Sequence, residues 1–366
     1  MTKDQTMSKE KIVGVIGAGS FGTAVSNLLA ENTKVYLYER NPGVRERMAR
    51  DGVNRNHVMH PNITVTDSFE EMAEKSCMLF PVVPSASFKQ MIIDLSPYLR
   101  PDHLMIHATK GLHCEFDIDT IDAKDVNLKN IKTMSEIIQQ ETAIVRIGCI
   151  AGPNLAAELA EHQPAGTVIA SRFDEVIREG KSVLQSDRFQ VFGNKDLLGI
   201  ELAGVLKNYI ALASGALSGV GYGENTRALL ITRGMGEMIR IGKALGADKR
   251  AFLGIAGIGD LIATCASPKS RNYTVGFRIA KGETLEEVLA SMSEVAEGVR
   301  TLKICKLIVD HIGANAPLLQ VLYSVFFEGL KMEKAIFSAQ PVRPTSRLPM
   351  VLPIKDSLIL PSPSMM

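Results

Sequence analysis

Short apolar runs alternate with segments of helical spacing through the first half of the chain. Between most of the runs, apolar residues recur every three or four positions, as in SFGTAVSNLLAEN and PSASFKQMIIDLSPYL. Strand and helix in repetition predict a mostly parallel sheet with helices on both faces. The predicted strands are KIVGVIG, KVYLYE, NITVTD, CMLFPVV, HLMIHAT, IVRIGCIAG, TVIAS and RFQVF.

The pattern changes near residue 197, where strand-like runs stop and long helical patterns such as LLGIELAGVLKNYIALASGAL begin. We therefore predict an α/β fold class with two domains. A Rossmann-like, doubly wound domain is expected over residues 8–196, with a polar surface insertion at about 112–133. An all-helical domain is expected over 197–339, followed by an irregular, proline-containing tail at 340–366.

Composition and charge exclude several classes of protein. Lys plus Arg number 41 and Asp plus Glu number 40. The charges nearly balance, so the net charge gives no reason to expect nucleic acid or an acidic membrane as a partner. The charge-free run Tyr209 to Gly223 is too short to span a bilayer, so no stable membrane insertion is expected. Five scattered cysteines and a polar start without a secretion signal predict a cytoplasmic location.

A glycine-rich motif, GAGSFGTA, follows the first predicted strand and opens a helix. Gly17 permits the tight turn, Gly19 lets a pyrophosphate approach the backbone, and Gly22 lets the helix pack close to the strand. Free N–H groups at the helix start favour phosphates. With a strand before it and a helix after it, the motif predicts a dinucleotide site rather than a plain turn.

The second predicted strand ends in Glu39 and Arg40, where the adenosine ribose is expected to lie. An acid at this place accepts hydrogen bonds from the 2′-hydroxyl of NAD, whereas an arginine favours the 2′-phosphate of NADP. A solvated charge pair at a strand end would explain one of the two residues equally well. Both cofactors therefore remain open.

Two charged residues stand inside apolar segments of the second half. Lys207 interrupts GVLKNYIALASG, and Asp260 interrupts GIAGIGDLIATC. A buried charge is costly unless it is paired, so the two side chains are expected to satisfy each other or a shared polar ligand. The alternative is a purely structural ion pair. Such pairs add little stability over apolar replacements, which favours a use in chemistry.

Three further places could meet an anion, although each also has a plainer explanation. Lys110 follows a strand end in HATKG, where open parallel sheets bind ligands, but many such lysines are plain surface. Helix capping alone would explain the turn at Gly152 and Asn154. Arg271 with Asn272 offers a guanidinium fork suited to a phosphate, or else ordinary surface.

Several motifs together resemble the NAD(P)-dependent glycerol-3-phosphate dehydrogenases, most closely the bacterial type. The motifs are GAGSFGTA, ATKGL, AGPN, LKNYIALASG, GIGDLIATC, SRNYTVG and VAEGVRT, and the match runs from about Lys11 to Leu330. The resemblance implies reversible hydride transfer between NADH or NADPH and dihydroxyacetone phosphate. The product would be sn-glycerol 3-phosphate, which supplies glycerophospholipid synthesis.

The same resemblance implies roles for individual residues, with Lys207 as the proton donor and acceptor. The residues implied to hold the substrate are Lys110, Gly152, Asn154, Asn208, Asp260, Thr264, Ser270, Arg271 and Asn272. The residues implied to contact NAD or NADP are Gly17, Gly19, Ser20, Phe21, Gly22, Glu39, Arg40, Lys110, Ala156, Arg271, Val295 and Glu297. No metal is expected, because the histidines lack a matching carboxylate or cysteine cluster.

The chemistry of the reaction explains a lysine in this position. Hydride reduction of a ketone builds negative charge on its oxygen, which an ammonium group stabilises and then protonates. Burial lowers the pKa of Lys207, whereas a neighbouring Asp260 raises it.

Two other functions are kept as alternatives. One is a related β-hydroxyacid or 6-phosphogluconate-type dehydrogenase, and the other is a nucleotide sensor without turnover. The expected partner is a small phosphorylated substrate, and the apolar helices of the second half favour a homodimer.

Overall fold

The first half of the chain builds one eight-stranded sheet. The computed structural model describes residues 11–55, 57–292, 294–332 and 334–335, so the predicted tail at 340–366 lies outside the described residues. The strands are β1 (Ile12–Ile16), β2 (Lys34–Tyr38), β3 (Ile63–Thr66), β4 (Met78–Pro81), β5 (Leu104–His107), β6 (Arg146–Ala151), β7 (Ala165–Ser171) and β8 (Phe189–Asn194). Each predicted strand overlaps one of these, and the predicted α/β fold class is confirmed.

The spatial order of the sheet is β8-β7-β6-β5-β4-β1-β2-β3. Neighbouring strands run parallel except β6 and β7, which are antiparallel. The chain starts at β1, builds outward to β3, and then crosses back to β4 on the other side of β1. This reversal of direction opens a crevice at the carboxyl ends of β1 and β4, where ligands bind in sheets of this kind.

Helices cover both faces of the sheet. They are α1 (Ser20–Ala30), α2 (Pro42–Asp51), α3 (Phe69–Lys75), α4 (Ser85–Leu95), α5 (Met134–Glu141), α6 (Ala156–Ala160) and α7 (Asp174–Leu184). Val15 packs in the core that includes Leu28 of α1, whereas the next residue, Ile16, packs in the core that includes Phe88 of α4. Because successive residues of the central strands enter opposite cores, these strands are buried almost throughout, whereas the outer strands β2 and β8 alternate.

The second half of the described chain is helical. Its helices are α8 (Leu197–Val220), α9 (Glu224–Ala244), α10 (Asp260–Ala266), α11 (Arg271–Ala280), α12 (Leu285–Ser291), α13 (Glu297–Ile312) and α14 (Pro317–Phe327). Glycines set the crossing of α8 and α11: a Cβ on Gly215 would lie 1.9 Å from the Tyr273 carbonyl oxygen, and one on Gly276 would lie 1.9 Å from that of Leu212. The two backbones therefore approach closely, which brings the start of α11 toward the middle of α8.

The helix α8 lies at the centre of the helical half. By length and composition it is apolar enough to cross a membrane, but 94% of its most apolar window is buried inside the protein. The rest of the chain therefore covers its apolar surface.

The polar segment at 112–133 forms a short ribbon between His113–Cys114 and Ile131–Lys132. Its apolar residues, including Leu112, pack in the same core as α8 and α13. On the surface, Lys303 of α13 pairs with Asp119 of the segment. The segment is thus attached to the helical half, whereas the predicted domain boundaries stay a prediction.

Candidate active site

A cleft of about 1050 Å³ lies between the carboxyl ends of the strands and the helical half. It gathers nearly all residues singled out in the sequence: Gly17, Gly19, Ser20, Phe21, Gly22, Glu39, Arg40, Lys110, Asn154, Ala156, Lys207, Asn208, Asp260, Thr264, Ser270, Arg271, Asn272, Val295 and Glu297. Gly152 lies behind this lining, where its carbonyl oxygen accepts a hydrogen bond from Lys110 Nζ at 3.2 Å. The functional roles of these residues remain predictions.

The glycine-rich loop joins β1 to α1 at one end of the cleft. Gly17 has a φ of 111°, and a Cβ on it would lie 2.6 Å from the Val82 carbonyl oxygen. A Cβ on Gly22 would lie 1.8 Å from the Gly17 carbonyl oxygen. Above Gly19, by contrast, a Cβ would have room, with its nearest contact 4.0 Å away. The loop therefore has the tight turn, the close helix packing and the open approach that a dinucleotide pyrophosphate requires.

The next part of the cleft lies at the end of β2. The Glu39 carboxylate accepts a hydrogen bond from the Asn41 N–H at 2.8 Å. Tyr38 stacks on Phe69, with ring centroids 4.0 Å apart. Glu39 and Arg40 both line the cleft. The expected ribose end therefore offers a carboxylate beside a guanidinium, and either NAD or NADP could be the cofactor.

Lys207 projects from the middle of α8 into the other end of the cleft and is only 5% exposed. Its ammonium donates to Thr264 Oγ1 at 2.6 Å and lies 3.1 Å from Asp260 Oδ1. Burial lowers the pKa of Lys207 from 10.5 to about 8, although Asp260 opposes this effect; the charge of Lys110 lowers the pKa further. A lysine with such a pKa can both donate and accept a proton near neutral pH.

Asp260 links two lysines from different parts of the chain. It is the first residue of α10 and is 2% exposed. Its Oδ2 lies 2.6 Å from the Nζ of Lys110, just beyond β5, while its Oδ1 faces Lys207. One carboxylate between two ammonium groups leaves an excess positive charge. This charge favours an anionic ligand, or a ligand on which negative charge develops during the reaction.

A buried amide pair stands beside this cluster. Asn272 Nδ2 donates to Asn208 Oδ1 at 2.9 Å, and Asn272 Oδ1 accepts from the Gly298 N–H at 2.9 Å. Ser270 caps α11 by accepting a hydrogen bond from the Tyr273 N–H. These contacts fix the start of α11 against α8 and α13.

Arg271 precedes Asn272 in α11, and its half-exposed side chain extends toward the glycine-rich loop end of the cleft. Its Nη1 donates to the Val295 carbonyl at 3.0 Å and lies 3.2 Å from Glu294 Oε2. Its guanidinium is therefore accessible at the mouth of the cleft, as phosphate binding requires.

Asn154 does not cap a helix. The N-terminal cap of α6 is Leu155, without a side-chain hydrogen bond. Instead, Asn154 Nδ2 donates to the Gly166 carbonyl at 3.0 Å, and Asn154 Oδ1 accepts from Thr167 Oγ1 at 2.8 Å. The side chain is thus anchored on β7, and Ala156 begins the adjoining helix.

Sequence analysis missed two carboxylate contacts between the halves of the protein. Glu294 accepts from the Ser20 N–H at 3.1 Å and from Ser20 Oγ at 2.7 Å. Glu297, predicted as a cofactor contact, accepts from the Ser85 N–H at 2.7 Å and from Ser85 Oγ at 2.6 Å. Each carboxylate therefore supplies a helix start with the side-chain cap that its own sequence lacks. The available signal in the sequence was Glu294 directly before VAEGVRT and Glu297 within that motif.

Glu294 also pairs with two arginines. Its Oε1 lies 3.3 Å from Arg55 Nη1, and its Oε2 faces Arg271. Burial acts to raise the pKa of Glu294, but the Ser20 hydroxyl and the two arginines outweigh it, so that the pKa is lowered. The carboxylate is therefore charged at neutral pH.

No group of three or more His, Cys, Asp or Glu side chains that could hold a metal ion occurs within the described part of the chain. The charged groups that meet around Lys207 are Lys110 and Asp260, as described above. The chemistry available from these side chains is therefore proton transfer and anion binding.

The fold and the cleft together define a class: a dehydrogenase that binds a nicotinamide dinucleotide at the carboxyl ends of the strands of a mostly parallel sheet. Family models described as the N-terminus and the C-terminus of NAD-dependent glycerol-3-phosphate dehydrogenase match residues 12–177 and 196–337. The chain therefore belongs to the NAD-dependent glycerol-3-phosphate dehydrogenase family, and the resemblance seen in the sequence motifs is confirmed.

Individual relatives agree with the family match. The chain is 38% identical over 335 residues to glycerol-3-phosphate dehydrogenase (NAD(P)+) of Ectopseudomonas mendocina, covering 90% of this chain and 94% of the relative. The same identity and coverage hold for the Pseudomonas aeruginosa protein of that name. The crystal structure of glycerol-3-phosphate dehydrogenase from Coxiella burnetii superposes with a TM-score of 0.81 at 28% identity, covering 90% of this chain and 98% of that one.

Proposed function

We propose that this protein interconverts dihydroxyacetone phosphate and sn-glycerol 3-phosphate with NAD(H) or NADP(H). The observation that carries the proposal is the buried ammonium of Lys207, 2.6 Å from Thr264 Oγ1 and 3.1 Å from Asp260 Oδ1, in a cleft that begins at a dinucleotide loop. Family membership supports the same reaction.

A bound nicotinamide supplies or accepts the hydride, and the residues of this chain handle the proton and the substrate. Lys207 in its ammonium form stabilises the negative charge that develops on the substrate oxygen and then donates a proton to it. In the oxidative direction the neutral amine accepts the same proton. A pKa of about 8 makes both forms available near neutral pH.

Thr264 and Asp260 hold Lys207 in place. Thr264 Oγ1 lies 2.6 Å from the Asp260 main-chain carbonyl oxygen, to which it donates, so that its lone pairs face the ammonium. The Asp260 carboxylate maintains part of the ammonium population that burial alone would remove. Both residues act by positioning the proton donor rather than by reacting.

The phosphate of the substrate is assigned to Arg271 and the start of α11. Arg271 stands at the mouth of the cleft, half exposed, while Asn272 beside it is buried against Asn208. An anchored phosphate would hold the carbonyl carbon beside Lys207, and such orientation lowers the barrier by several kcal/mol. Lys110, beside Asp260, adds positive charge on the opposite wall.

The wider role follows from the reaction. sn-Glycerol 3-phosphate is the backbone precursor of glycerophospholipids, so we assign the protein to their supply. We further propose a cytoplasmic homodimer. Gel filtration with light scattering tests the dimer, whose expected mass is twice the 39.8 kDa of the chain.

An initial-rate assay tests the proposal. The purified chain is mixed with NADH or NADPH and dihydroxyacetone phosphate, and loss of reduced nicotinamide absorbance is followed. Rapid oxidation with this substrate supports the proposal. Turnover only with 6-phosphogluconate or β-hydroxyacids would assign a related dehydrogenase instead, and nucleotide binding without any turnover would assign a sensor.

A further inference from the structure

The Glu294 carboxylate lies over the open part of the glycine-rich loop. Gly19 is the glycine whose missing side chain leaves space for a pyrophosphate. A Cβ built on Gly19 would have one heavy-atom neighbour within 4 Å, the Oε1 atom of Glu294 at 4.0 Å. The space that the motif keeps open for an anion is therefore bordered by an anionic oxygen of the chain itself.

The partners of this carboxylate are those that a phosphate would use. It accepts the Ser20 N–H at the start of α1 and the Ser20 hydroxyl, at 3.1 and 2.7 Å. Arg55 and Arg271 approach it at 3.3 and 3.2 Å. A helix N–H, a hydroxyl and two guanidinium groups around one anion are the donor set of a phosphate site.

The start of α1 has no side-chain cap of its own. Its N-terminal cap is Gly19, so a side chain from elsewhere or a ligand must satisfy the free N–H groups. Glu294 comes from the segment between α12 and α13, in the other half of the protein. It completes α1 as long as nothing else occupies the position.

We propose that Glu294 is a further residue of the cofactor site, an internal anion that competes with the cofactor pyrophosphate for Ser20 and the two arginines. The inference rests on the proposed use of NAD(P). Two anions cannot share one set of donors without strong repulsion, so cofactor binding requires Glu294 to leave the loop. Only molecules in which the Glu294 carboxylate has left the loop can bind the cofactor. The observed Kd therefore equals the Kd of the vacated loop divided by the fraction of such molecules.

Glu297 provides an internal contrast. Its carboxylate caps α4 through Ser85, and no oxygen of it borders Gly19. Glu294 and Glu297, at the first residue of α13, thus hold different helix starts, and of the two only Glu294 borders the open side of Gly19. A general loosening of the segment would disturb both contacts, whereas loss of the Glu294 charge removes only the competitor.

Direct binding measurements test the inference. Titration of the full chain with NADH, followed by nucleotide fluorescence and by calorimetry, gives Kd for the wild type, Glu294→Gln and Glu294→Ala. We expect Kd to fall at least about fivefold in both variants. The matched control is Glu286→Gln, an exposed charge in the first turn of α12, which should leave Kd unchanged.

Inorganic pyrophosphate serves as a second probe, because it carries the anion without the rest of the cofactor. Its Kd should fall by a similar factor in Glu294→Gln. Glu294→Asp keeps the charge on a shorter side chain and should give values between those of the wild type and Glu294→Gln. Thermal melting of the unliganded chain should show a lower Tm for Glu294→Ala, because α1 has lost its side-chain cap.

The outcomes separate this inference from the proposed function. An unchanged or higher Kd for both probes in the Glu294 variants overturns the inference, because the carboxylate then does not compete. Failure of the wild type to bind NADH or NADPH at all overturns the proposed function instead. Should Glu294→Ala not fold, Glu294→Gln and Glu294→Asp, which preserve hydrogen-bonding oxygens, carry the comparison.

Discussion

Asp260 faces Lys207 with one oxygen, 3.1 Å from its Nζ, and keeps its other oxygen for Lys110. The carboxylate is almost fully buried, and so is the ammonium of Lys207. Because burial lowers the pKa of Lys207 and Asp260 raises it, the pair sets the protonation state of the cleft. The arrangement suits a lysine that must exchange its proton in each turnover.

Replacing Asp260 with Asn leaves the buried ammonium of Lys207 and the partly buried ammonium of Lys110 without their shared carboxylate. We expect the pKa of Lys207 to fall below about 8, since Asp260 acts to raise it. The free energy of unfolding should fall by about 3 kcal/mol, because breaking a buried pair leaves uncompensated charge. Denaturant unfolding measures this value. The control is Asp119→Asn, which removes the exposed partner of Lys303 and should lower the free energy of unfolding by less than about 1 kcal/mol. An equal decrease in both variants would show that Asp260 is no more important for stability than a surface acid.

Arg271 should determine the affinity for the phosphate group. In Arg271→Ala, kcat/KM for dihydroxyacetone phosphate should fall about 30-fold or more, because truncating one partner of a charge-assisted hydrogen bond costs about 2 kcal/mol or more. Initial rates with unphosphorylated dihydroxyacetone provide the matched comparison. Both substrates are assayed at saturating NADH, so that any contact of Arg271 with the cofactor does not enter, and the rates with dihydroxyacetone should change little. Arg50→Ala, on the exposed face of α2, is the control variant. Equal losses with both substrates would remove Arg271 from the phosphate site.

Two glycines of the same loop should respond differently to alanine. In Gly22→Ala the new Cβ lies 1.8 Å from a backbone oxygen, so the free energy of unfolding should fall by roughly 1–3 kcal/mol. In Gly19→Ala the Cβ has room, so Tm should hold while Kd for NADH rises about tenfold. Thermal melting and NADH titration measure both effects. Unimpaired NADH binding in Gly19→Ala would place the pyrophosphate elsewhere.

Much of the fold is predictable from the sequence because burial on both faces makes the central strands continuous apolar runs. Each of the eight runs overlaps a strand of the sheet. The contact between Lys207 and Asp260 is also predictable, because a charged residue inside an apolar segment needs an oppositely charged or polar partner. The local sequence pattern was therefore sufficient to predict the strands of the sheet and the contact between Lys207 and Asp260.

Other contacts depend on how distant segments meet, and local pattern does not encode that. Neither the plain acid Glu294 nor Glu297, expected only as a cofactor contact, indicates by its local sequence that it caps α1 or α4 across the cleft. The 112–133 segment reads as polar because its apolar residues are few and scattered, although Leu112 enters the helical core. In such places the tertiary arrangement, not the periodicity, determines what a residue does.

The two directions of the reaction should depend on pH in opposite ways. Reduction requires the ammonium form of Lys207, so its kcat should fall as pH rises through about 8. Oxidation requires the neutral amine, so its kcat should rise over the same interval. Rates measured with saturating substrates in both directions test the sign. Parallel changes in both directions would assign the titration to another group.

Lys207 is proposed to transfer the proton, and the kcat of Lys207→Met tests this claim. Methionine fills similar space without a charge, so the variant should fold and bind NADH. Measured by loss of NADH with saturating dihydroxyacetone phosphate, its kcat should be lower than that of the wild type by about 100-fold or more. Lys129→Met, an exposed change, should retain full activity. Turnover of Lys207→Met close to the wild-type value would contradict the claim.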